Sequence, residues 1–399
     1  MNYRYSDRLD SFSSSAVREI LKLTQRQSII SFAGGLPAEE HFPVAAIGEA
    51  FDRVLAAGNK ALQYGLTEGY LPLRESICDW MSGKGVAATP EDLLITTGSQ
   101  QAIDLLTRIY IDPGDVILVE KPTYLSALQV FRSYGAVLVS VEADEDGMLL
   151  EDLAAKLKQH RPKLVYAIPT FSNPTGKTWS MERREGVLRL CRSHDALILE
   201  DDPYGELKFG DASVAYPSLF SLDQHPKGSC VVYTSTFSKT VAPALRTGWV
   251  MADPEVIRHM ARAKQAADLH SSSLDQQTLY QLMAHFDLGG HIEFVRKEYE
   301  ARMRQMAELL AAQQWPGVTW NEPKGGMFFW LELPESVDAA ELLKTAVELG
   351  VAFVPGASFY ADGSGKNTMR LNFTHNDAEA TITGMKRLNE AMESVLVKS

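Results

Sequence analysis

Cysteine is scarce in this sequence, and its scarcity limits what can hold the fold together. The chain contains three cysteines, Cys78, Cys191 and Cys230, among 399 residues. They are odd in number and far apart, so they fit neither a disulfide framework nor a structural metal cluster. We therefore expect a fold without disulfides or metal, in a reducing compartment such as the cytoplasm.

Long apolar runs and an excess of positive charge are also lacking. The run from Met327 to Leu331 is among the longest, far below the ~18 residues that a membrane helix needs. The first 15 residues are polar and do not resemble a secretory signal. Lys and Arg number 39 against 51 Asp and Glu, a net charge of −12 that argues against a nucleic-acid surface. These absences leave a cytoplasmic enzyme or a large binding protein, with neither membrane nor nucleic acid as a partner.

The order of the apolar runs predicts the fold class. Short β-branched runs occur at 93–97, 116–119, 137–141, 164–168, 196–199, 231–235 and 248–251. Most are separated by segments with the helical spacing of apolar residues, such as 151–159 and 182–193. Alternating strands and helices indicate an α/β domain whose mostly parallel sheet is covered on both faces.

The two ends of the chain have a different character. From about residue 276 to 314 the sequence is charged and helical, and a strand-like block follows at 325–333. A helix at 338–349 and strands at 351–354 and 368–373 complete a smaller α+β domain. The first 40 residues contain one amphipathic helix and the turn AGGLP, which is too little for a core of their own. We expect this arm to dock on the rest of the chain.

Polar side chains follow several of the predicted strands. Ser99 and Gln100 follow Gly98 at a strand-to-helix junction, where free N–H groups either cradle a phosphate or simply begin a helix. Asn173 lies in SNPTG directly after the strand at 164–168, and this is also an ordinary turn signal. Asp201 ends the strand that begins at 196, at the edge where parallel sheets bind ligands, although a helix cap is an equal alternative.

Two basic residues complete the set of candidates. Lys239, in TSTFSKTVAPALRTGW, follows the strand at 231–235, with Arg246 seven residues later. A lone lysine is usually a solvated surface charge, but this one adjoins an apolar stretch, which favours a buried, reactive amine. Arg370, in NTMRLNF, would by itself be a strand-edge arginine paired to a surface acid.

Taken in order, the motifs GSQQ, NPTG, DDPY and SFSK, followed by Arg370, form one known pattern. They resemble the fold-type-I pyridoxal-phosphate (PLP) aminotransferases of class I/II, and most of all the α-aminoadipate and kynurenine aminotransferase branch. The resemblance covers essentially the whole chain, from SFAGGLP to VAFVPGASFY. It implies a large PLP-binding domain at 41–290 with a seven-stranded, mostly parallel sheet. It also implies a small C-terminal domain at 291–399 and an arm at 1–40 that lies over the active site.

The resemblance implies roles for the motif residues. Lys239 would hold the cofactor as a Schiff base and move a proton between the substrate Cα and the cofactor C4′. Asp201 would pair with the pyridine nitrogen and keep it protonated, which makes the ring a better electron sink. Asn173 and Tyr204 would bond the ring oxygen O3′, Tyr204 with a catalytic role, and the ring of Tyr124 would stack on the cofactor. The implied phosphate site consists of Ser99, Gln100, Thr236, Ser238 and Arg246, with Thr236 where relatives often have serine.

The substrate and the partner subunit are implied in the same way. Arg370 would bind the substrate α-carboxylate through two hydrogen bonds, beside Asn173 and the closely approaching backbone of Gly35. Tyr64 matches a residue that reaches the cofactor phosphate of the neighbouring subunit, which implies a homodimer with shared active sites. Ser15 and Arg18, on the N-terminal helix, match positions that meet a distal substrate carboxylate; the alternative for Arg18 is a solvated helix face on which it pairs with a nearby glutamate.

The implied reaction is a transamination. An amino group would move from an L-amino acid, 2-aminoadipate or other donors including aromatic and branched-chain ones, to 2-oxoglutarate by a ping-pong mechanism. Fold does not fix function, so a β-lyase, racemase or decarboxylase on the same scaffold is an alternative. A ligand-sensing regulator is a further alternative, but the 40 residues that precede the aminotransferase-like part of the chain are not basic enough to bind DNA. A nicotinamide dehydrogenase is disfavoured because no G-x-G-x-x-G follows the first strand.

Overall fold

A computed structural model describes residues 1–6, 8–9, 20, 29–211, 213–223 and 227–396 of the chain. The described residues form fifteen strands. These are β1 Ile30–Ser31, β2 Leu93–Thr96, β3 Val116–Glu120, β4 Val137–Val141, β5 Ala143–Asp144, β6 Gly147–Met148, β7 Leu164–Ala167, β8 Leu197–Asp201, β9 Val231–Thr236, β10 Gly248–Met251, β11 Thr319–Trp320, β12 Phe328–Glu332, β13 Val351–Ala352, β14 Val354–Pro355 and β15 Thr368–Asn372.

Helices account for most of the remaining described chain. The α-helices are Val44–Ala56, Leu71–Ser82, Ser99–Tyr110, Leu125–Ser133, Leu150–His160, Met181–Ser193, Leu219–Leu222, Pro254–Ala267, Ser273–His285, Leu288–Gln313, Ala339–Glu348 and Ala378–Leu396. Short 3₁₀ helices are Glu39–His41, Gly58–Leu62, Pro90–Asp92, Pro243–Leu245 and Gly356–Phe359. In the described ranges, no helix is both long enough and apolar enough to cross a membrane.

A seven-stranded sheet forms the centre of the molecule, in the order β2-β10-β9-β8-β7-β3-β4. The strand β10 runs antiparallel to both of its neighbours, and the other pairs are parallel. This confirms the predicted seven-stranded, mostly parallel sheet. Sheets of this kind are buried on both faces, which explains why their strands are continuous apolar runs.

Alternate residues of the central strands pack into two separate cores. Ile95, Leu118, Val165 and Ile198 point to one face, where they join residues of the helices Leu71–Ser82, Met181–Ser193 and Ser273–His285. Their neighbours Leu94, Ile117, Leu164 and Leu199 point to the other face, towards the helices Ser99–Tyr110, Leu125–Ser133 and Pro254–Ala267. The period of two in a strand thus places helices on both sides of the sheet.

A smaller unit follows in the chain. Strands β11-β12-β15-β14 form an antiparallel sheet, and the helices Ala339–Glu348 and Ala378–Leu396 share its core. Strand β1 pairs in parallel with β13, so the described end of the arm is joined to this unit. The long helix Leu288–Gln313 spans both parts, because Leu288 and Ile292 pack in the large core and Val295 packs in the small one.

Two predicted elements are wrong in detail. The single helical stretch at 276–314 is two helices, interrupted at Phe286 and Asp287, where the Asp287 side chain accepts a hydrogen bond from Gly290 N and begins the second helix. The single strand at 351–354 is two short strands, since β13 pairs with β1 and β14 pairs with β15. These pairings join distant segments, and no local pattern shows them.

Candidate active site

The candidate residues gather at the carboxyl edge of the central sheet. Asp201 is the last residue of β8, Asn173 follows β7, and Lys239 follows β9. Gly98 follows β2 and precedes the helix Ser99–Tyr110. Neighbouring parallel strands end on the same side, so residues far apart in sequence meet at this edge.

Asp201 is a buried carboxylate with one partnered oxygen. The Tyr166 hydroxyl donates a hydrogen bond to its Oδ2 at 2.8 Å. Within the described part of the chain, its Oδ1 has no hydrogen-bond partner. Burial, and to a smaller extent the neighbouring Asp202, raise the pKa of the Asp201 carboxyl to about 7, against the lowering effect of the bond from Tyr166. The free oxygen is therefore an acceptor aimed at an incoming donor.

The adjacent Asp202 is different, because both of its oxygens are occupied. Its Oδ1 accepts from Gly205 N at 2.8 Å, and its Oδ2 accepts from the Tyr233 hydroxyl at 3.0 Å. Successive residues of a strand point to opposite faces. Of this pair, Asp201 is the one with an oxygen left for a ligand.

Arg370 is a buried guanidinium held in place by two neighbours. Its Nη1 donates to Asn173 Oδ1 at 2.7 Å and its Nη2 donates to the Ala33 carbonyl at 2.8 Å. Its Cζ lies 4.1 Å from the ring centre of Phe328 and 5.0 Å from that of Phe359. Burial lowers the pKa of Arg370 to about 10, so the group is still a cation at neutral pH.

Asn173 connects Arg370 to a buried tyrosine. Its Nδ2 donates to the Tyr204 hydroxyl at 3.4 Å, and its peptide bond to Pro174 is cis. Burial raises the pKa of Tyr204 above its usual range, so its phenol stays protonated at neutral pH. Asn173 and Tyr204 thus present an amide and a hydroxyl next to the buried cation.

Lys239 supplies the amine of the site. Its Nζ donates to the Gly35 carbonyl at 2.7 Å. Burial, together with the positive charges of Arg370 and Arg246, lowers the pKa of Lys239 to about 8. A substantial fraction of this amine is therefore neutral near pH 8, as a nucleophile requires.

A glycine turn and two hydroxyls lie near Arg246. Gly98 has a φ of +76°, and a Cβ placed on it would be 2.6 Å from the Arg246 guanidinium. Arg246 Nη1 lies 3.4 Å from Ser238 Oγ, which also accepts a hydrogen bond from Thr236 Oγ1 at 2.9 Å. Exposed N–H groups at the start of a helix, with hydroxyls and a cation beside them, have the chemistry of a phosphate site.

The other predicted residues are placed as follows. Ser99 and Gln100 begin the helix after the turn. Tyr124 precedes the helix Leu125–Ser133, and burial raises its pKa, with a smaller raising contribution from Asp201 and lowering contributions from Arg370 and Arg246. The Tyr124 hydroxyl therefore lies close enough to Asp201, Arg370 and Arg246 for their charges to act on it.

One described residue among the predicted ones, Tyr64, is not part of this cluster on the single chain. Tyr64 is 79% exposed on the single chain, with its ring 5.7 Å from that of His270. Ser15 and Arg18 lie outside the described residues. Across the described ranges, no group of three His, Cys, Asp or Glu side chains has the arrangement of a metal site.

Sequence reasoning missed Tyr166. It lies inside the apolar run of β7 and is fully buried, so in sequence it resembles an ordinary core residue. Its hydroxyl occupies one oxygen of Asp201 and leaves the other free. The signal in the sequence was a tyrosine within an otherwise apolar strand, because a buried tyrosine hydroxyl needs a hydrogen-bond partner.

Comparison with known proteins identifies the class. The sequence model of the family "Aminotransferase class I and II" matches residues 28–383. The chain belongs to this family of enzymes, and it is an aminotransferase.

Particular relatives are similar over nearly the full length. The 2-aminoadipate transaminase of Thermus thermophilus is 41% identical over 384 residues, which are 96% of this chain and 95% of that protein. The aromatic-amino-acid aminotransferase 1 of Thermococcus litoralis is also 41% identical, over 99% of this chain and 95% of that protein. A crystal structure of α-aminoadipate aminotransferase from Thermus thermophilus, complexed with N-(5′-phosphopyridoxyl)-L-leucine, has a TM-score of 0.92 and 39% identity, covering 99% of this chain and 98% of that one.

The predicted family, fold type and cofactor are thereby confirmed: the cofactor is PLP and the fold is that of the type-I PLP enzymes. The described residues fit this cofactor on their own geometry. Asp201 has an unpartnered buried oxygen, a group of donors surrounds the turn at Gly98, and Lys239 has a lowered pKa. A ring nitrogen, a phosphate and an aldehyde are the three functional groups that such residues would bind.

Proposed function

We propose that the enzyme transfers the amino group of L-2-aminoadipate, and of aromatic or branched-chain donors, to 2-oxoglutarate by a ping-pong mechanism. Its substrates are amino acids and 2-oxo acids, as in the family to which it belongs. The observation that most supports the proposal is the chain of contacts through Arg370. This buried cation touches Asn173 and Ala33, and Ala33 lies two residues from Gly35, the partner of Lys239.

We assign the binding of the substrate α-carboxylate to Arg370. Its Nε has no partner among the described residues, and its two Nη atoms bond neutral oxygens only. Among the described residues, no carboxylate lies within hydrogen-bond distance of this buried cation. A substrate carboxylate would supply the missing negative charge, and bonds between two charged groups are the stronger kind.

PLP, when bound, supplies an electron sink for charge that develops at the substrate α-carbon. We propose that Asp201 Oδ1 accepts a hydrogen bond from the pyridine nitrogen and holds its proton there. Lys239 Nζ would be the group that attaches the cofactor and then removes and returns the proton at the substrate Cα. Asn173 and Tyr204 would bond the ring hydroxyl, and the turn at Ser99 and Gln100, with Thr236, Ser238 and Arg246, would bind the phosphate.

We further propose the domain division at 41–290 and 291–399, with the arm at 1–40. The packing of Leu288 and Ile292 on one side, and of Val295 on the other, supports a boundary inside the helix Leu288–Gln313. A homodimer with Tyr64 in the neighbouring active site belongs to the same proposal. Leu62, Tyr64 and Leu66 are exposed on the single chain, and large exposed side chains grouped in this way are a mark of protein–protein interfaces.

The substrate assignment depends on Arg18 and Ser15. A guanidinium binds a distal carboxylate through charge-assisted bonds worth about 1.5–3 kcal/mol each. Arg18→Ala should therefore raise the KM for aminoadipate by roughly ten- to a hundred-fold, since ~1.4 kcal/mol is a factor of ten. Leucine, which has no distal charge, should be nearly unaffected. The measurement is kcat/KM for both donors with 2-oxoglutarate, with glutamate as the product.

A matched control separates the substrate contact from general effects. Arg189→Ala removes an exposed arginine of the helix Met181–Ser193, and both donors should react with it as with wild type. An equal loss for aminoadipate and leucine in Arg18→Ala would mean that Arg18 supports the arm and does not contact the substrate. Turnover of the donor without any 2-oxo acid would contradict transamination and indicate lyase, racemase or decarboxylase chemistry.

A further inference from the structure

A buried lysine lies directly behind the glycine turn. Lys264, near the end of the helix Pro254–Ala267, has no exposed surface, which is rare for lysine. Its Nζ donates to Gln101 Oε1 at 2.6 Å, to Asp268 Oδ2 at 2.8 Å and Oδ1 at 3.0 Å, and to Ser271 Oγ at 2.9 Å. An ammonium has three protons, and three different residues supply its acceptors.

Two of these acceptors also hold Thr97, the residue before Gly98. Gln101 Oε1 accepts a hydrogen bond from Thr97 N at 2.8 Å, and Ser271 Oγ lies 2.8 Å from Thr97 Oγ1. Thr97 is therefore fixed at its amide and at its hydroxyl by two groups that bond the same ammonium. A role limited to the end of its own helix would need only Asp268, whereas the other two bonds go to the groups that hold Thr97.

The segment 268–273 also touches the segment that contains Tyr64. His270 Nε2 accepts a hydrogen bond from Gly65 N at 3.3 Å, and its ring meets that of Tyr64 edge to face. Ser273 Oγ donates to the Gln63 carbonyl at 3.4 Å. One short segment thus contacts both the turn of its own chain and the residues that we place in the neighbouring active site.

We infer that Lys264 is a positioning residue that holds the turn Thr97–Gln101 in the shape that binds the cofactor phosphate. The inference rests on the proposed phosphate site. Lys264 acts through Gln101 and Ser271 and does not itself touch the cofactor. Without the ammonium, Gln101 and Ser271 lose the group that joins them, Gln101 keeps only its bond from Nε2 to Asp268 Oδ2 on this side, and the N–H groups after Gly98 are held less firmly.

The test compares two ligands that differ by the phosphate alone. The apoenzyme is titrated with PLP and with pyridoxal, and binding is followed by the absorbance of the attached ring. In Lys264→Met the Kd for PLP should rise about tenfold or more, while that for pyridoxal changes less than about twofold. Lys156→Met is the control, because Lys156 also pairs with an aspartate one helical turn away, in its case the preceding Asp152, and it should leave both values unchanged.

Two further variants keep the outcomes distinct. If Lys264→Met does not fold, Ser271→Ala removes only the oxygen between Lys264 and Thr97, and it should weaken PLP selectively by about threefold. An equal loss of PLP and pyridoxal, or no loss of either, would overturn the inference. Arg246→Met tests the phosphate site directly. If PLP affinity falls selectively in Arg246→Met but not in Lys264→Met, only the role of Lys264 is refuted. No selective loss in Arg246→Met would refute the phosphate site itself.

Discussion

Asp201, which we place at the pyridine nitrogen, reduces the stability of the cofactor-free protein through its buried carboxyl. Its carboxyl has a pKa of about 7 in the folded chain, against an ordinary value of 3.8. Between these two values the folded state retains a proton that the unfolded state has released. The free energy of unfolding therefore falls as the pH rises through this range, and the loss is complete above the folded pKa.

The fall in the free energy of unfolding with rising pH gives a prediction for the cofactor-free protein. Asp201→Asn replaces a buried unpaired charge by a neutral amide that can still accept the bond from Tyr166. At pH 8 the variant should be more stable than wild type by about 1–3 kcal/mol, and the difference should vanish near pH 4. Its transamination should nevertheless fall by ~3 kcal/mol in activation free energy, the size of a typical electrostatic catalytic contribution. Thermal unfolding across this pH range measures the change in stability, and kcat/KM measures the change in activity.

Asp202→Asn is the matched control for this residue. Both oxygens of Asp202 accept hydrogen bonds, from Gly205 N and from the Tyr233 hydroxyl, so an amide keeps both contacts only if the Tyr233 hydroxyl turns from donor to acceptor. Burial raises the pKa of the Asp202 carboxyl as well, but Asp202→Asn also disturbs two existing hydrogen bonds, so it should gain less stability than Asp201→Asn and should lose much less activity. Equal losses of activity in the two variants would refute the assignment of Asp201 to the pyridine nitrogen.

For single residues, the sequence predicted where the candidate side chains lie in the fold better than it predicted which groups they contact. Asp201, Asn173 and Lys239 each follow an apolar run, and the structure brings all three to one sheet edge. Tyr166 and Lys264 could not be found in this way. Their polar tips bond residues 35 and 163 positions away in the chain, and only the fold brings such pairs together.

At the scale of elements, the turn between β2 and the helix Ser99–Tyr110 depends on glycine. Gly98→Ala would force alanine into a backbone region with φ of +76° and ψ of 168°, which is essentially reserved for glycine and costs ~1–3 kcal/mol, and would place a methyl group against the Arg246 guanidinium. We expect this variant to lose both stability and PLP affinity. Gly85→Ala is the control, because its φ of +81° is similar but its surroundings are open.

Thermal unfolding and PLP titration of the two alanine variants separate backbone strain from the clash. Gly85→Ala should show the loss of stability alone. If Gly98→Ala also binds PLP with wild-type affinity, the turn does not bind the phosphate. The strand-to-helix junction would then have a structural role only.

The elements themselves were largely predictable, and the exceptions have a common cause. Strands of the central sheet are buried on both faces and therefore form recognisable apolar runs. The short strands β13 and β14 are defined by their pairing with β1 and β15, which local spacing does not contain. The break at Phe286–Asp287 was missed because two helices with similar composition adjoin there.

At the scale of the whole molecule, the prediction concerns sharing of active sites. A mixture of Lys239→Ala and Tyr64→Phe subunits should form hybrid dimers that contain one site with neither change, provided that Tyr64 acts across the interface. After subunit exchange, activity per site at limiting PLP should exceed the mean of the two parent enzymes. Activity equal to that mean would show that Tyr64 serves its own chain or no site at all.

The identity of the lysine that holds PLP is the central claim of the mechanism. Reduction of the holoenzyme with borohydride fixes the cofactor to the amine that holds it, and digestion followed by mass spectrometry locates the pyridoxyl label. We predict a single label on Lys239, the amine whose pKa is lowered to about 8 next to Arg370 and Arg246. A label on another lysine, including the buried Lys264, with Lys239 unmodified would contradict the mechanism proposed for this enzyme.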